Sequence, residues 1–280
     1  LSKRTNMYAI YGQTQTSSTS VGNSAAGSNY AYFTDETNYV VTSSFRTGTF
    51  STVYTRPLSN YEVIIKNTDV KYSNYVAIAK IMKSFYFQYL VDIYGDIPYS
   101  QAHQGVAVPF PAYDDDQAIY RDLIVQLDSA IDMINNAPST TVSVGAEDVM
   151  LAGNMQNWIK FANTLKLRIL LREATKAETD ATTATYLTDQ FAALDQNFVD
   201  ENITINPGYS NASNAQQNPW MNLMVNLDED NITYRTAYNF RRASAYIAGR
   251  LNSNPIDPRR GRLFTLIGGS VVGVLQGDSS

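Results

Sequence analysis

Apolar residues recur at helical steps in several stretches of this chain, and long polar segments separate them. Ile78, Ile81, Met82, Phe85 and Tyr89 follow at intervals of one helical turn, which predicts a helix ending at Gly95. Gly95 can take the left-handed conformation that stops a helix, and Pro98 blocks its resumption. Before it, Leu58, Tyr61, Ile64 and Ile65 predict a short amphipathic helix after Pro57. After it, Asp114 with Gln117 makes a capping-box pattern, and the run Asp114-Asp115-Asp116 suits the positive end of a helix. Ile119, Leu123, Leu127, Ala130, Ile131 and Ile134 continue that helix, with Pro138 beyond its end. Further helices are predicted on Trp158, Phe161, Ala162, Leu165 and Ile169, then on Leu187, Phe191, Leu194 and Phe198, and last on Ala243, Tyr246, Ile247 and Leu251. Val271, Val272, Val274 and Leu275, flanked by Gly268, Gly269 and Gly277, read as short strands or a hairpin.

The segments between these helices are long. Residues 13–29 are Gln, Thr, Ser, Gly and Asn with almost nothing to bury, and read as a surface loop. The stretch 100–113 carries Pro109 and Pro111 and cannot be regular helix, while Asp200 to Asn231 scatters Asn, Pro and Gly among Tyr209, Trp220 and Met221. Loops longer than about 12–15 residues are uncommon unless they serve a function or stay disordered.

Composition narrows the class. The 280 residues are 44% hydrophobic but only 17% charged, and 20 of them are Tyr. Low charge with many aromatic and amide groups suits an extracytoplasmic surface that meets neutral polar ligands. A net charge of -5 without any Lys/Arg run argues against nucleic acid, whose phosphates need a basic patch. The absence of Cys removes disulfides, thiolate metal sites and cysteine nucleophiles together. No apolar run approaches the roughly 20 residues of a membrane helix.

Catalytic patterns are weak. His103 is the single histidine, so an imidazole pair for a metal is impossible, and its Pro-bounded loop points to a solvated side chain. Acidic clusters at Asp35-Glu36, Asp114 to Asp116, Glu147-Asp148, Asp200-Glu201 and Asp228 to Asp230 place carboxylates side by side, not across a scissile bond. The last lacks the alternation and glycine of a calcium-binding EF-hand, and Gly268-Gly269 lacks the Lys-Ser/Thr of a phosphate loop. No enzyme, metal or cofactor is expected.

What remains is recognition. Aromatics on helical stripes (Phe85, Tyr89, Trp158, Phe161, Phe191, Phe198) are assigned to the core by their periodicity. Aromatics in polar loops are the candidate ligand platforms: Trp220 first, with Tyr234, Asn239, Tyr30, Tyr32 and Asn38 around it. The competing reading is that these rings pin long loops to the helices.

Three motifs, in order, carry a resemblance. Tyr94-Gly95-Asp96-Ile97-Pro98-Tyr99 closes one helix; Asn157-Trp158-Ile159-Lys160-Phe161-Ala162-Asn163-Thr164-Leu165-Lys166-Leu167-Arg168 forms another; Asn254-Pro255-Ile256-Asp257-Pro258-Arg259 follows a third. Over residues 50–262 the chain resembles the SusD-like (RagB/SusD) family of outer-membrane nutrient-binding lipoproteins. The resemblance implies a mainly α fold: tetratricopeptide-like helical repeats with long irregular loops and a few short strands, although no 34-residue repeat is legible in the sequence. It implies a single SusD-like domain over 1–280. It also implies oligosaccharide or other nutrient binding, a TonB-dependent (SusC-like) transporter as partner, and an outward-facing place on the outer membrane.

Family members are anchored through a lipidated N-terminal Cys that this sequence does not contain, and they continue well past the Asp-Pro-Arg segment. The expectation is therefore a member lacking its anchor and its C-terminal stretch. Ligand residues are not part of the shared motifs, so none is carried over. A helical scaffold binding a peptide or protein is the alternative function, and a glycoside hydrolase a distant third. One structural expectation is specific: the helix over 156–173 packs beside the Gly95 turn, with Asn163 or Arg168 hydrogen-bonded to turn backbone or to Asp96.

Overall fold

A computed structural model of the protein describes residues 15–17, 22–23, 28–29, 42, 47–210, 212–213, 215–219, 241–253 and 255–273. They fall into two compact units, Arg46–Asn206 and a second made of Leu1–Phe45 with Pro207–Ser280.

The first unit is helical. Helix α1 (Thr47–Val53) runs through a π-turn at Tyr54–Leu58 into α2 (Ser59–Ile65), and Pro57 sits inside the widened turn. Helix α3 (Ser73–Tyr94) is the longest, followed by α4 (Asp116–Asn135), α5 (Met155–Leu170), the single turn α6 (Ala174–Ala177) and α7 (Ala181–Ala193). Helix α3 packs against α2, α4 and α5, and α4 packs in turn on α5. Being covered from several sides explains the burial pattern of α3. Ile81, Phe87, Leu90, Ser84 and Gln88 are all buried, whereas Ile78, Met82, Phe85 and Tyr89 form a half-buried shoulder. A helix enclosed by neighbours shows little one-sided periodicity, so the spacing marks Ile81 of the inner face but not Phe87, Leu90, Ser84 or Gln88.

Helix α4 has the expected stripe: Ile119, Leu123, Leu127, Ala130 and Ile134 are buried, and Ile131 lies partly buried beside them. Its start differs from the capping box. Asp115, not Asp114, is the N-cap, with Oδ1 accepting the Ala118 N–H at 2.9 Å. The Gln117 amide turns inward instead, donating to Glu173 at 2.6 Å and to Thr183 at 3.0 Å. Helix α5 is capped by Asn154, which accepts the Asn157 N–H at 3.0 Å, and buries Trp158, Ala162, Leu165 and Ile169. Phe161 is partly buried there, in edge contact with Trp158.

Helix α7 ends sooner than its apolar spacing implied. Leu187 is buried within it, but Leu194 and Phe198 lie beyond Ala193 in an irregular segment, and Phe191 is 38% exposed, outside the core. Asp180 caps this helix through the Thr182 N–H.

The second unit holds short strands. Strand β1 (Gln15–Ser17) pairs antiparallel with β4 (Arg241–Ala243), and β2 (Gly22–Asn23) pairs with β3 (Ser28–Asn29). Helix α8 (Ala245–Asn252) follows β4, so Ala243 belongs to a strand, not to the helix the spacing implied, and Tyr246 points outward at 56% exposure. A single turn, α9 (Arg260–Leu263), comes next. Ile267 and Ser270 then exchange both main-chain hydrogen bonds around Gly268 and Gly269, which have φ of 57° and 81°. This is a two-residue turn closed by an isolated bridge; Val271 and Val272, expected in short strands or a hairpin, form no strand, and Val274, Leu275 and Gly277 lie outside the described residues. The Asn252 amide donates to the Val271 carbonyl at 2.8 Å and accepts the Val271 N–H at 3.1 Å, standing in for a strand partner. A small core of Ala243, Ala248, Leu251 and Val271 closes the unit. Among the described residues no helix is long and apolar enough to cross a membrane.

Candidate functional site

The signature turn is a clamp. Gly95 ends α3 at φ 69°, ψ -123°, a conformation that a side chain would strain. Ile97 is fully buried, and its carbonyl accepts the Asp114 N–H at 3.0 Å. Asp114 Oδ2 accepts from both the Tyr99 and Ser100 N–H groups at 2.9 Å, and Oδ1 accepts the Ser100 hydroxyl at 2.7 Å. Asp96 Oδ1 accepts the Asp116 N–H at 3.0 Å. Tyr54 donates to the Pro98 carbonyl at 2.5 Å, and the Tyr99 hydroxyl donates to Asp122. Burial first, then the neighbouring Asp122, push the Tyr99 phenol far above its usual range, so it stays a donor.

The turn is therefore locked by the acidic start of α4, and this corrects the expectation for α5. Arg168 donates through Nε and Nη2 to Gln88 Oε1 at 2.9 and 2.6 Å, with its guanidinium over the Phe85 ring. Asn163 donates to Asp195 at 3.0 Å and to the Asn197 carbonyl at 3.3 Å. Neither bonds to the turn or to Asp96. The residue of this region that reaches the end of α3 is Arg172, which pairs with both oxygens of Asp92 at 3.2 and 3.1 Å. The geometric reason is simple: α5 lies along the flank of α3, so Arg168, and Arg172 just past the end of α5, meet positions 88 and 92 before the chain turns at 95.

Within the same unit lies a cleft of about 600 Å³, walled on one side by residues 146–152 and on the other by 199–204, with Asn157 and Lys160 of α5 between them. Asp148 builds the first wall. It accepts the N–H groups of Met150, Leu151 and Gly153 at 3.0–3.1 Å and the Trp158 indole N–H at 2.8 Å. Burial alone would raise its carboxyl, but these donors outweigh it and hold the pKa below the usual carboxylate value. Trp158 is thus a core residue whose one polar atom pins the wall. The loop folds back so tightly that a Cβ on Gly153, at φ 74°, would lie 2.0 Å from the Val144 carbonyl oxygen. Ala152, which lines the cleft, has φ 52°. Opposite, Lys160 Nζ donates to both oxygens of Asp200 at 2.9 Å. Among the described residues the main chain of 201–205 and the side chains of Asn157, Asn202 and Thr204 make no hydrogen bond.

The aromatic and amide residues expected to hold a ligand, Trp220, Tyr234, Asn239, Tyr30, Tyr32 and Asn38, lie outside the described residues, as do Asp35, Glu36, Asp228 to Asp230 and Asn254. Tyr209, from the same irregular segment as Trp220, is 37% exposed. The cleft residues Asn157, Lys160, Asp200, Asn202 and Thr204 were missed as site candidates. Asn157 and Lys160 sit inside a helix motif that reads as scaffold, and only the fold brings 199–204 against them.

His103 departs from the solvated loop histidine expected. It has φ 62°, lies against Tyr54 and within 3.3 Å of the Ser59 hydroxyl, and its Nε2 is buried without a partner. Burial first, then Lys83, holds its pKa below the usual imidazole value. Most carboxylates of the acidic clusters have structural partners: Glu147 accepts from Tyr75 and the Gly145 N–H, Asp200 pairs with Lys160, and Asp114 and Asp148 are held as above, while Glu201 makes no such bond among the described residues. Asp96, Asp115 and Asp116 approach one another at the surface, but two of them cap main-chain N–H groups.

Helices that stack in pairs, carry long pinned loops and open a polar cleft define a helical binding scaffold. A family model described as SusD-like, starch-binding associating with outer membrane, matches residues 4–278, and the chain belongs to this SusD-like family. Among solved structures, one titled a chitin-binding protein is 25% identical with a TM-score of 0.67, over 98% of this chain and 56% of its own. A chitin-binding SusD homologue from Flavobacterium johnsoniae is 19% identical with a TM-score of 0.68, over 98% of this chain and 54% of its own. A SusD homologue from Bacteroides vulgatus is 21% identical with a TM-score of 0.67, over 97% and 50%. The chain thus spans roughly half the length of these structures. None of the curated proteins matches it.

Proposed function

We propose that the protein captures oligosaccharide at the outer face of the outer membrane and hands it to a TonB-dependent transporter, without catalysing its cleavage. The observation that carries this reading is the family match over residues 4–278, whose description joins starch binding to the outer membrane. The similarity to a structure titled a chitin-binding protein supports a glycan as the ligand class. Composition agrees: a chain rich in Tyr and amides, with 17% charged residues, is suited to neutral hydroxylated ligands, which are held by aromatic planes and hydrogen-bonding groups.

In this reading the stacking platform is Trp220, with Tyr234, Asn239, Tyr30, Tyr32 and Asn38 around it. Lipid anchoring belongs to the same proposal and holds the binding subunit over its transporter. The scaffold as a single unit over 1–280 is part of it as well.

The test is affinity electrophoresis against a panel of soluble polysaccharides including glycol chitin and starch. Retardation without shortening of the polysaccharide is the expected result. Cleavage would make the protein a hydrolase, and migration unchanged across the panel would reject glycan capture. Trp220→Ala is expected to lose most of the retardation while leaving the melting temperature nearly unchanged.

A further inference from the structure

We propose that the cleft between residues 146–152 and 199–204 is a second saccharide subsite, built on the helical scaffold from residues other than the loop aromatics. The inference rests on glycan capture as the function and adds where part of the glycan is held.

The first argument is which groups face the cleft. Six consecutive residues, 199–204, line it. In a non-helical segment successive side chains diverge, so a continuous run of lining residues brings the main chain itself to the wall. That main chain is unpaired over 201–205 among the described residues, and its N–H and C=O groups add to the unpaired Asn157 and Asn202 amides and the Thr204 hydroxyl. The cleft therefore offers donors and acceptors in mixture, which is what hydroxyl groups, each both donor and acceptor, require.

The second argument is charge. Lys160 and Asp200 neutralise each other through two hydrogen bonds at 2.9 Å, and Asp148 is consumed by four donors. An anion would meet Asp200 and Glu201, and a cation would find Glu201 as its one uncommitted carboxylate. A neutral ligand meets neither obstacle. Val149, Met150, Leu151 and Ile203 supply an aliphatic surface against which the C–H face of a sugar can rest.

The third is preorganisation. A cleft of about 600 Å³ falls in the range of small-ligand sites, roughly 300–1,000 Å³. Its first wall is fixed before any ligand arrives, by the Asp148 bonds and by the left-handed Ala152 and Gly153. A non-glycine residue at positive φ stores strain that the surrounding bonds must maintain, a feature that concentrates at binding sites.

The test exploits the absence of Cys from the chain. Asn202→Cys places one thiol in the cleft, and its rate of maleimide labelling is measured with and without chitohexaose or maltohexaose. Asp189→Cys, on the exposed side of α7, is the control. The expected result is labelling of the Asn202→Cys thiol slowed at least about 5-fold by a bound hexasaccharide, with the control unchanged. In parallel, Asn157→Ala, whose side chain has no partner among the described residues, is expected to weaken binding about 2–10-fold, the usual range for one lost hydrogen bond, at unchanged melting temperature. Calorimetric binding of a hexasaccharide with unaltered labelling and unaltered Asn157→Ala affinity would overturn the subsite and leave glycan capture standing. Protection of the thiol by an extended Thr-Ile-Thr-Ile peptide, but by neither sugar, would overturn it in favour of a peptide groove. Failure of the unaltered protein to bind either sugar would remove the reading on which the subsite rests.

Discussion

Asp114 and Ser100 are joined twice across the signature turn, the Ser100 N–H donating to Oδ2 at 2.9 Å and its hydroxyl to Oδ1 at 2.7 Å. With the Tyr99 N–H on the same carboxylate, one side chain holds the exit of α3 to the start of α4. Asp114→Ala removes these three bonds; the Ser100 donors are exposed and can turn to water, so the expected cost is about 0.5–1.5 kcal/mol. Urea denaturation is expected to show that loss, with Asp114→Asn intermediate. The same bonds give a pH dependence. Burial would raise the Asp114 carboxyl, but the donors from Ser100 and Tyr99 outweigh it, so its folded pKa is lowered. A lowered carboxylate contributes stability above its unfolded pKa of about 3.9 and loses it as pH falls through the folded value. The melting-temperature gap between wild type and Asp114→Ala should therefore be full at pH 6 and shrink below about pH 4.

Arg168 and Gln88 make the second prediction. Gln88 is fully buried, and its Oε1 receives both guanidinium bonds. Arg168→Ala empties that position and exposes the flank of Phe85, and is expected to cost about 1–3 kcal/mol. Arg172→Ala removes a pair in which the arginine is half exposed, and should cost about 0–1 kcal/mol. Equal losses in chemical denaturation would contradict the assignment of Arg168 to the helix flank.

Gly153 makes the third. A methyl group at φ 74° and 2.0 Å from the Val144 carbonyl cannot be placed without moving the loop. Gly153→Ala is expected to destabilise by at least about 1–3 kcal/mol through strain alone. It should also raise the exchange rates of the Met150 and Leu151 amide hydrogens, which are bonded to Asp148 in the same loop. An unchanged melting curve would show that the wall of the cleft is not held as described.

His103 makes the fourth. Its Nε2 is enclosed without a partner, and burial, assisted by Lys83, lowers its pKa. A base whose folded pKa lies below its unfolded value takes up its proton sooner in the unfolded chain. Stability is then intact above about pH 6.5 and falls as pH drops below it. Between pH 7.5 and 5.5 the melting temperature of the wild type should fall more than that of His103→Asn, a residue that also tolerates positive φ. A parallel fall in both would locate the titration elsewhere.

Much of the helical unit was legible because local chemistry and burial agree there. The α4 stripe from Ile119 to Ile134 and the Gly95 stop follow from spacing and backbone preference, which act over a few residues. Where a helix is covered on several sides, as α3 is, periodicity loses its meaning, and Phe85 and Tyr89 take the shoulder while Ser84 and Gln88 go inside. Capping showed the same limit: Asp114, Asp115 and Asp116 have one composition, and the fold alone decides which caps the helix and which clamps the turn.

The sequence by itself determined the helical class, the stop at Gly95, a turn at Gly268-Gly269, and three motifs in an order that marks the family. Those are short-range facts, set by propensity, φ preference and motif order. Tertiary structure decided that Arg168 finds Gln88, that the Nε2 of His103 is buried, and that residues 199–204 face Asn157 across a cleft. These are contacts between positions about 40 to 80 apart, chosen by how helices pack and which unpaired polar groups that packing leaves.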